Sequence, residues 1–220
     1  MMCRRDLLTA VGALGAAALV GLPLPAQACD LHLAAALDHL MQDEKLARDL
    51  YTQLSVEWGL PVFANIAASE QRHMDAVAQQ LRAYGLQDPT RGLGPGELVD
   101  GELQEAYFGL LELGLGSVEE ALLAGAMVED LDIHDLDKLK GLAAGEPALL
   151  RMVEQLRCAS ENHMRAFVGQ LQQRGVVFTP SHISQAELGR ILAAPQGGCG
   201  GGGKGRGRGQ GGGQGRRQAG

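Results

Sequence analysis

Basic residues are scarce in the body of this chain. Of the nineteen Lys and Arg among its 220 residues, two lie near the N-terminus and five in a C-terminal tail. Residues 29–196 hold twelve basic and twenty-five acidic residues, a formal charge of 12 − 25 = −13. Such a body is a poor partner for nucleic acid and an attractive one for cations. Cysteine is scarce too, and Cys3, Cys29, Cys158 and Cys199 show none of the paired spacings of a zinc site. Cys158 reads as a small core residue. Cys29 and Cys199, both near chain ends, are able to pair in an oxidising compartment. Long apolar runs are also missing. The stretch from Leu7 to Leu24 is too short and too rich in Ala and Gly for a membrane span.

That stretch has a better reading. It follows Arg4-Arg5 and precedes Ala26-Gln27-Ala28, so residues 1–28 are expected to be an export signal. Arg4-Arg5-Asp6-Leu7-Leu8 is similar to a twin-arginine signal, which exports proteins already folded and often already holding a cofactor. Cleavage after Ala28 leaves a periplasmic or otherwise exported protein beginning at Cys29, with no transmembrane span. A lipoprotein signal ranks second, because the usual Leu three residues before the cysteine is missing. At the other end, residues 197–220 carry fourteen of the 32 glycines, five Lys or Arg and no acid. This tail is expected to be disordered. A solubilising role is favoured over a tether for an anionic surface or nucleic acid.

Between the ends, the apolar pattern is helical. Leu33, Leu37, Leu40, Glu44, Ala47, Tyr51 and Leu54 alternate three and four apart and predict a first helix over Leu31–Glu57. Trp58-Gly59-Leu60-Pro61 ends it and opens a second, which closes at Gly85. Leu86–Gly116 then forms an unusually long connection with one short helix near Glu102–Leu113. The capping box Ser117-x-x-Glu120 starts a third helix with the seam Val118, Leu122, Gly125, Glu129, Asp132, Leu136 and Leu139. A fourth runs from Glu146-Pro147 to Arg174-Gly175, with Leu149, Val153, Leu156, Ser160, His163 and Phe167 on its seam. A short amphipathic helix follows near Ser184–Ala193. The expected architecture is all-α: a four-helix bundle of ferritin type, with a long crossover between helices two and three.

Polar residues interrupt every seam at mid-helix. Glu70 and His73 stand three apart, about 60° around the axis, so both point the same way. Two helical hairpins each offer a central Glu, then a central His: Glu44 with His73, and Glu129 with His163. His73-Met74 aligns with His163-Met164 onward through Gly85 and Gly175, which suggests an internal duplication and pseudo-two-fold symmetry. Four carboxylate and imidazole groups at one depth of a bundle are a packing error unless cations compensate them. Two-fold Glu and Glu-x-x-His is the ligand set of a di-iron or di-manganese site. The repeat is imperfect, however. Ser160 occupies the position three before His163, and Glu161 points about 160° away on a regular helix. Asp132 is able to fill the vacancy, and a lopsided or single-metal site is an alternative. Tyr51 either bonds to the site, carries a radical or packs the seam. His39 and His134 read as surface residues. Asp130, Asp132, Asp135 and Asp137 form either a solvated acidic face or a funnel for cations.

Asp43-Glu44-Lys45-Leu46-Ala47-Arg48-Asp49-Leu50-Tyr51, Ser69-Glu70-Gln71-Arg72-His73-Met74-Asp75-Ala76 and Glu129-Asp130-Leu131-Asp132-Ile133 resemble an uncharacterised bacterial and archaeal family. It is known as a domain of unknown function, number 2202, placed in the ferritin-like superfamily. The resemblance spans roughly residues 31–194. It implies the ferritin-like fold and, by analogy, a metal site at Glu44, Glu70, His73, Glu129 and His163; it implies no particular reaction. The sequence thus predicts an exported protein that binds iron, with homo-oligomerisation open. It oxidises ferrous iron or reduces peroxide, or else it sequesters metal or binds a partner through its acidic surface without catalysis.

Overall fold

The computed structural model describes residues 25–195 together with Gly197 and Cys199, and side chains from Leu31 onward. Residues 1–24 of the expected export signal and the tail, apart from Gly197 and Cys199, lie outside the described residues. Among the described residues there are six helices and no strand: α1 (Pro25–Trp58), α2 (Pro61–Ala83), α3 (Gly101–Gly114), α4 (Val118–Leu142), α5 (Pro147–Gln173) and α6 (Gln185–Ala193). None of the described helices is long and apolar enough to cross a membrane. The expected cleavage point after Ala28 falls within the first turns of α1.

Local chemistry sets the boundaries. Gly59, at φ 63°, ends α1 in a conformation that side-chain-bearing residues avoid, and Pro61 opens α2 where no intrahelical donor is needed. The Asp100 carboxylate accepts the backbone N–H groups of Glu102 and Leu103 to start α3. The Ser117 hydroxyl accepts the Glu120 N–H to start α4.

The four long helices pack in a ring, α1 against α2, α2 against α5, α5 against α4 and α4 against α1, while α1–α5 and α2–α4 form the diagonals. Along α1, His39 faces Asp135 and Tyr51 bonds to Gly125, so α1 and α4 are antiparallel. Phe63 meets Phe167 and His73 meets His163, so α2 and α5 are antiparallel too. With short antiparallel connections inside each hairpin, α2 and α4 must then run the same way. The connection between them has to return the length of the bundle, and α3 packs on α1 and α4 along that return.

One face of α1 holds this connection in place. Gln42 Oε1 accepts the N–H groups of Val99 and Asp100, at 3.0 and 2.8 Å. Lys45 Nζ donates to the Gly94 carbonyl at 2.7 Å, and Asp49 accepts the Gly96 N–H at 2.8 Å. Lys45 and Asp49 also pair with each other, both buried, so neither charge is left uncompensated.

The apolar core comes in two halves. One gathers Leu50, Tyr51, Leu54, Phe63, Phe167 and Leu171 at one end of the bundle; the other gathers Leu37, Leu40, Val77, Leu81, Leu136 and Leu149 at the opposite end. Between the halves lies a polar layer. Phe167 reaches its place because position 125 is glycine: a Cβ there would stand 2.7 Å from the ring.

The cysteines depart from expectation. Cys158 is half-buried rather than in the core, and it forms a disulfide with Cys199 across a separation of 41 residues. The Cys29–Cys199 pairing that an oxidising compartment would permit is therefore not the one formed. Asn162 of α5 donates to the Gly197 carbonyl, so the chain beyond α6 lies back on α5, which brings Cys199 to Cys158.

Candidate metal centre

The mid-helix polar residues converge. Glu44 from α1, Glu70 and His73 from α2, Glu129 from α4 and His163 from α5 are all buried, none more than 7% exposed. They form two triads whose ligand atoms lie within 4.8 Å of one another: Glu44–Glu70–His73 and Glu70–Glu129–His163. Glu70 belongs to both. His73 Nδ1 stands 3.1 Å from Glu44 Oε2 and 2.6 Å from Glu70 Oε2. His163 Nδ1 stands 2.9 Å from Glu70 Oε1 and 3.5 Å from Glu129 Oε2. The two imidazoles stack at 5.6 Å between centroids.

Burial raises the cost of every charge in this layer, and the groups answer unequally. Burial alone would lower the imidazole of His163, but Glu70 and Glu129 outweigh it and push His163 up to about 10. His73 is likewise raised against its burial, by Glu44 and then Glu70. Burial would raise Glu70, but His163 and His73 hold it well below the usual carboxylate range. Glu44 is pushed up to about 7, because burial exceeds the attraction of His73. Glu129 is also raised, by burial first, against the pull of His163. Protons thus do here what cations do in a loaded site: they offset crowded carboxylates.

Asp132 and Ser160 sit beside the triads and outside them. The Ser160 hydroxyl lies 2.5 Å from Asp132 Oδ2 and 3.0 Å from the Leu156 carbonyl. Burial, then Glu44 and Glu129, holds the Asp132 carboxyl well above its ordinary range. The Ser160 hydroxyl donates to Asp132 Oδ2, which favours the ionised carboxylate without offsetting its burial. Glu161 points away from the layer and pairs with Arg157 and Arg190. α5 is an uninterrupted α-helix through this region. The two-fold pattern therefore lacks its second Glu-x-x-His carboxylate, and one shared Glu70 stands where symmetry would supply two.

Tyr51 is fully buried. Its hydroxyl donates to Glu129 Oε1 at 2.7 Å, and its ring packs on Phe167 at 5.2 Å. It holds Glu129 in one orientation. Burial and the Glu129 carboxylate push its phenol well above 10.

A cavity of about 340 Å³ reaches the layer. Glu44, Glu70, Glu129 and Asp132 form its polar wall, and Leu46, Leu103, Leu110 and Leu113 are among its apolar ones. Asp130 lines it as well but is no part of a solvated acidic face: it is 1% exposed. Its carboxylate accepts the backbone N–H groups of Ser181, His182 and Ile183, at 2.6, 2.9 and 2.9 Å. Nothing in the sequence hints at this anchor beyond an acid beside Glu129. His134 is half-buried with its ring 5.8 Å from that of His182.

Fold and layer together define a class: an all-α protein with a carboxylate–histidine layer buried across its helical core. Residues 34–195 match the model of an uncharacterized protein domain, DUF2202, and the chain belongs to that family. It is 40% identical over 171 residues to the uncharacterized protein MJ0754 of Methanocaldococcus jannaschii, covering 78% of this chain and 92% of that protein. The crystal structure of the hypothetical protein MJ0754 from Methanococcus jannaschii superposes with a TM-score of 0.73 at 36% identity, over 82% of this chain and all of that one.

Proposed function

We propose that this is a ferritin-like, exported protein whose buried layer binds two iron ions and reacts with ferrous iron, dioxygen or peroxide. The observation that carries the reading is the sharing of Glu70 by two buried triads. A carboxylate between two imidazole–carboxylate pairs is placed to bridge two cations, and it offsets their repulsion. The donor set fits. Glu44 Oε1 and Asp132 Oδ1 are sealed from solvent without a hydrogen-bond partner, and buried polar atoms rarely stay so; Glu70 Oε1 and His163 Nδ1 are sealed as well and face each other at 2.9 Å. Carboxylate oxygens and imidazole nitrogens suit iron or manganese.

His73 and His163 would bind through Nδ1, the nitrogen facing the carboxylates, after releasing their protons. Glu44 and Glu129 would each serve one ion. Tyr51 keeps Glu129 oriented, as outer partners of metal ligands do. Bound iron supplies one-electron chemistry toward dioxygen or peroxide. The cavity between α1, α3 and α4 gives small reactants a path to the carboxylates. Export rests on residues 1–28, and a Cys158–Cys199 disulfide suits an oxidising compartment.

The test begins with metal-free protein. Given ferrous iron in air, it should develop ferric absorbance faster than buffer, with two ions bound per chain. Glu70→Ala should lose both the gain and the paired stoichiometry. Iron binding without faster oxidation would mark a sequestering protein instead. Unchanged oxidation by Glu70→Ala would dismiss the assigned centre.

A further inference from the structure

A second group of potential ligands lies outside the buried layer. His39 and Asp43 stand one turn apart on α1, and Asp135 faces them from α4. His39 Nε2 is 3.4 Å from Asp43 Oδ2 and 3.8 Å from Asp135 Oδ2, and the three groups can place one ligand atom each within 4.8 Å of the others. The Asp43 side chain is only 11% exposed, and its Oδ2, the atom facing His39, is sealed from solvent with no hydrogen-bond partner. That is a costly arrangement for a carboxylate oxygen that faces an imidazole at 3.4 Å without forming a hydrogen bond. Asp135 brings a second carboxylate to the same imidazole, and Lys138 lies against it. Lys138 itself is 63% exposed and engages the other oxygen of Asp135, at 2.8 Å, leaving Oδ2 to the cluster.

The position matters as much as the chemistry. The three residues line a cavity of about 260 Å³ with Ala36, Leu40 and Lys138. Asp43 also lines the larger cavity whose polar wall is Glu44, Glu70, Glu129 and Asp132. Asp43 is therefore the common wall of two cavities, one open toward partly exposed His39 and one ending at the buried layer.

We propose that His39, Asp43 and Asp135 form an outer site for a first-row divalent cation, from which the ion passes by Asp43 to the buried layer. One imidazole and two carboxylates select such an ion over magnesium or calcium, which favour all-oxygen shells. Two or three protein ligands and partial exposure leave room for water ligands, so the ion is held loosely enough to move on. The reading of the buried layer as a metal centre supplies the destination, but the outer site stands without it.

Manganese(II) is the probe, followed by electron paramagnetic resonance and equilibrium dialysis on the full chain. Wild-type protein should bind one ion more than the His39→Ala, Asp135→Asn variant, in a weaker class that the variant loses by at least about tenfold in affinity. The variant should also fill the buried layer more slowly at limiting metal, yet reach the same final occupancy there. Glu70→Ala protein isolates the outer site: it should keep one manganese ion, and adding His39→Ala and Asp135→Asn should remove it. If Glu70→Ala protein binds none, or if the triple variant still holds its ion, the outer site is wrong. Equal filling rates in wild type and the double variant would overturn the inward transfer. Failure of the buried centre looks different, since the Glu70→Ala change would then alter nothing.

Discussion

At the scale of the residue, the chain departs from its own repeat at Ser160, and that position has a measurable role. Its hydroxyl is the partner of Asp132 and of the Leu156 carbonyl inside a layer crowded with carboxylates. Ser160→Ala leaves both Asp132 oxygens without a partner, because Oδ1 already lacks one. The metal-free protein should lose about 1–3 kcal/mol by denaturant titration, the usual cost of orphaning a buried polar group. Glu161→Ala should cost less despite removing a partly buried charge, since Arg157 keeps Asp137 and Glu187 as partners and Arg190 keeps Glu187. Similar losses from the two variants would mean that Asp132 is not held by Ser160.

At the scale of the element, the segment leading into α6 depends on one buried carboxylate. Asp130 collects the three N–H groups of residues 181–183, and nothing else described replaces it. Asp130→Ala should destabilise the protein by about 1–3 kcal/mol. It should also raise amide hydrogen exchange at Ser181, His182 and Ile183 before it does so in α1 or α2. Protection unchanged at those three amides would contradict the anchor. The helices themselves were legible in the sequence to within a few residues, because seams, Gly–Pro turns and the Ser117 box are local signals. Their tethers were not. Gln42, Lys45 and Asp49 look like an ordinary polar face of α1 until the returning chain is laid over them. Asp130 reads as surface charge for the same reason, and so does His39. The pairing of Cys158 with Cys199 depends on where α6 turns the chain, which no spacing encodes.

At the scale of the whole molecule, the layer ties stability to pH. Between about 6.5 and 10 the folded state holds a proton on His163 that the unfolded chain releases, and between about 4.5 and 7 the same holds for Glu44. Folded protein binds more protons than unfolded across both windows, so metal-free stability should fall as pH rises through them. Glu70 works the other way, but only in acid, where its depressed carboxyl is finally protonated. Under the proposed metal-binding reading, a cation takes the same lone pairs as those protons and releases them. The rise in melting temperature on adding manganese should therefore grow by several degrees from pH 6 to pH 8.5. A metal effect that is flat or shrinks over that range would argue against the imidazoles as ligands. The carboxylate and imidazole residues and their common depth were readable from the seams alone. That Glu70 is shared by both triads was not, because it depends on how closely α2 and α5 approach.

The same layer also tells the helices where to stop. Two apolar halves made of Leu, Val and Phe offer little to distinguish one sliding position from the next. Shifting α5 along α2 by one turn, about 5.4 Å, takes His163 away from Glu70 and sets it among aromatic rings or leucines. It also strands Glu70 between apolar neighbours, where an unpaired carboxylate costs several kcal/mol. Only one alignment of four helices places Glu44, Glu70, His73, Glu129 and His163 at a single depth. A lone polar position sets the register of a coiled coil in the same manner. The carboxylates and imidazoles of this layer are the alignment marks by which the chain recognises its own native packing.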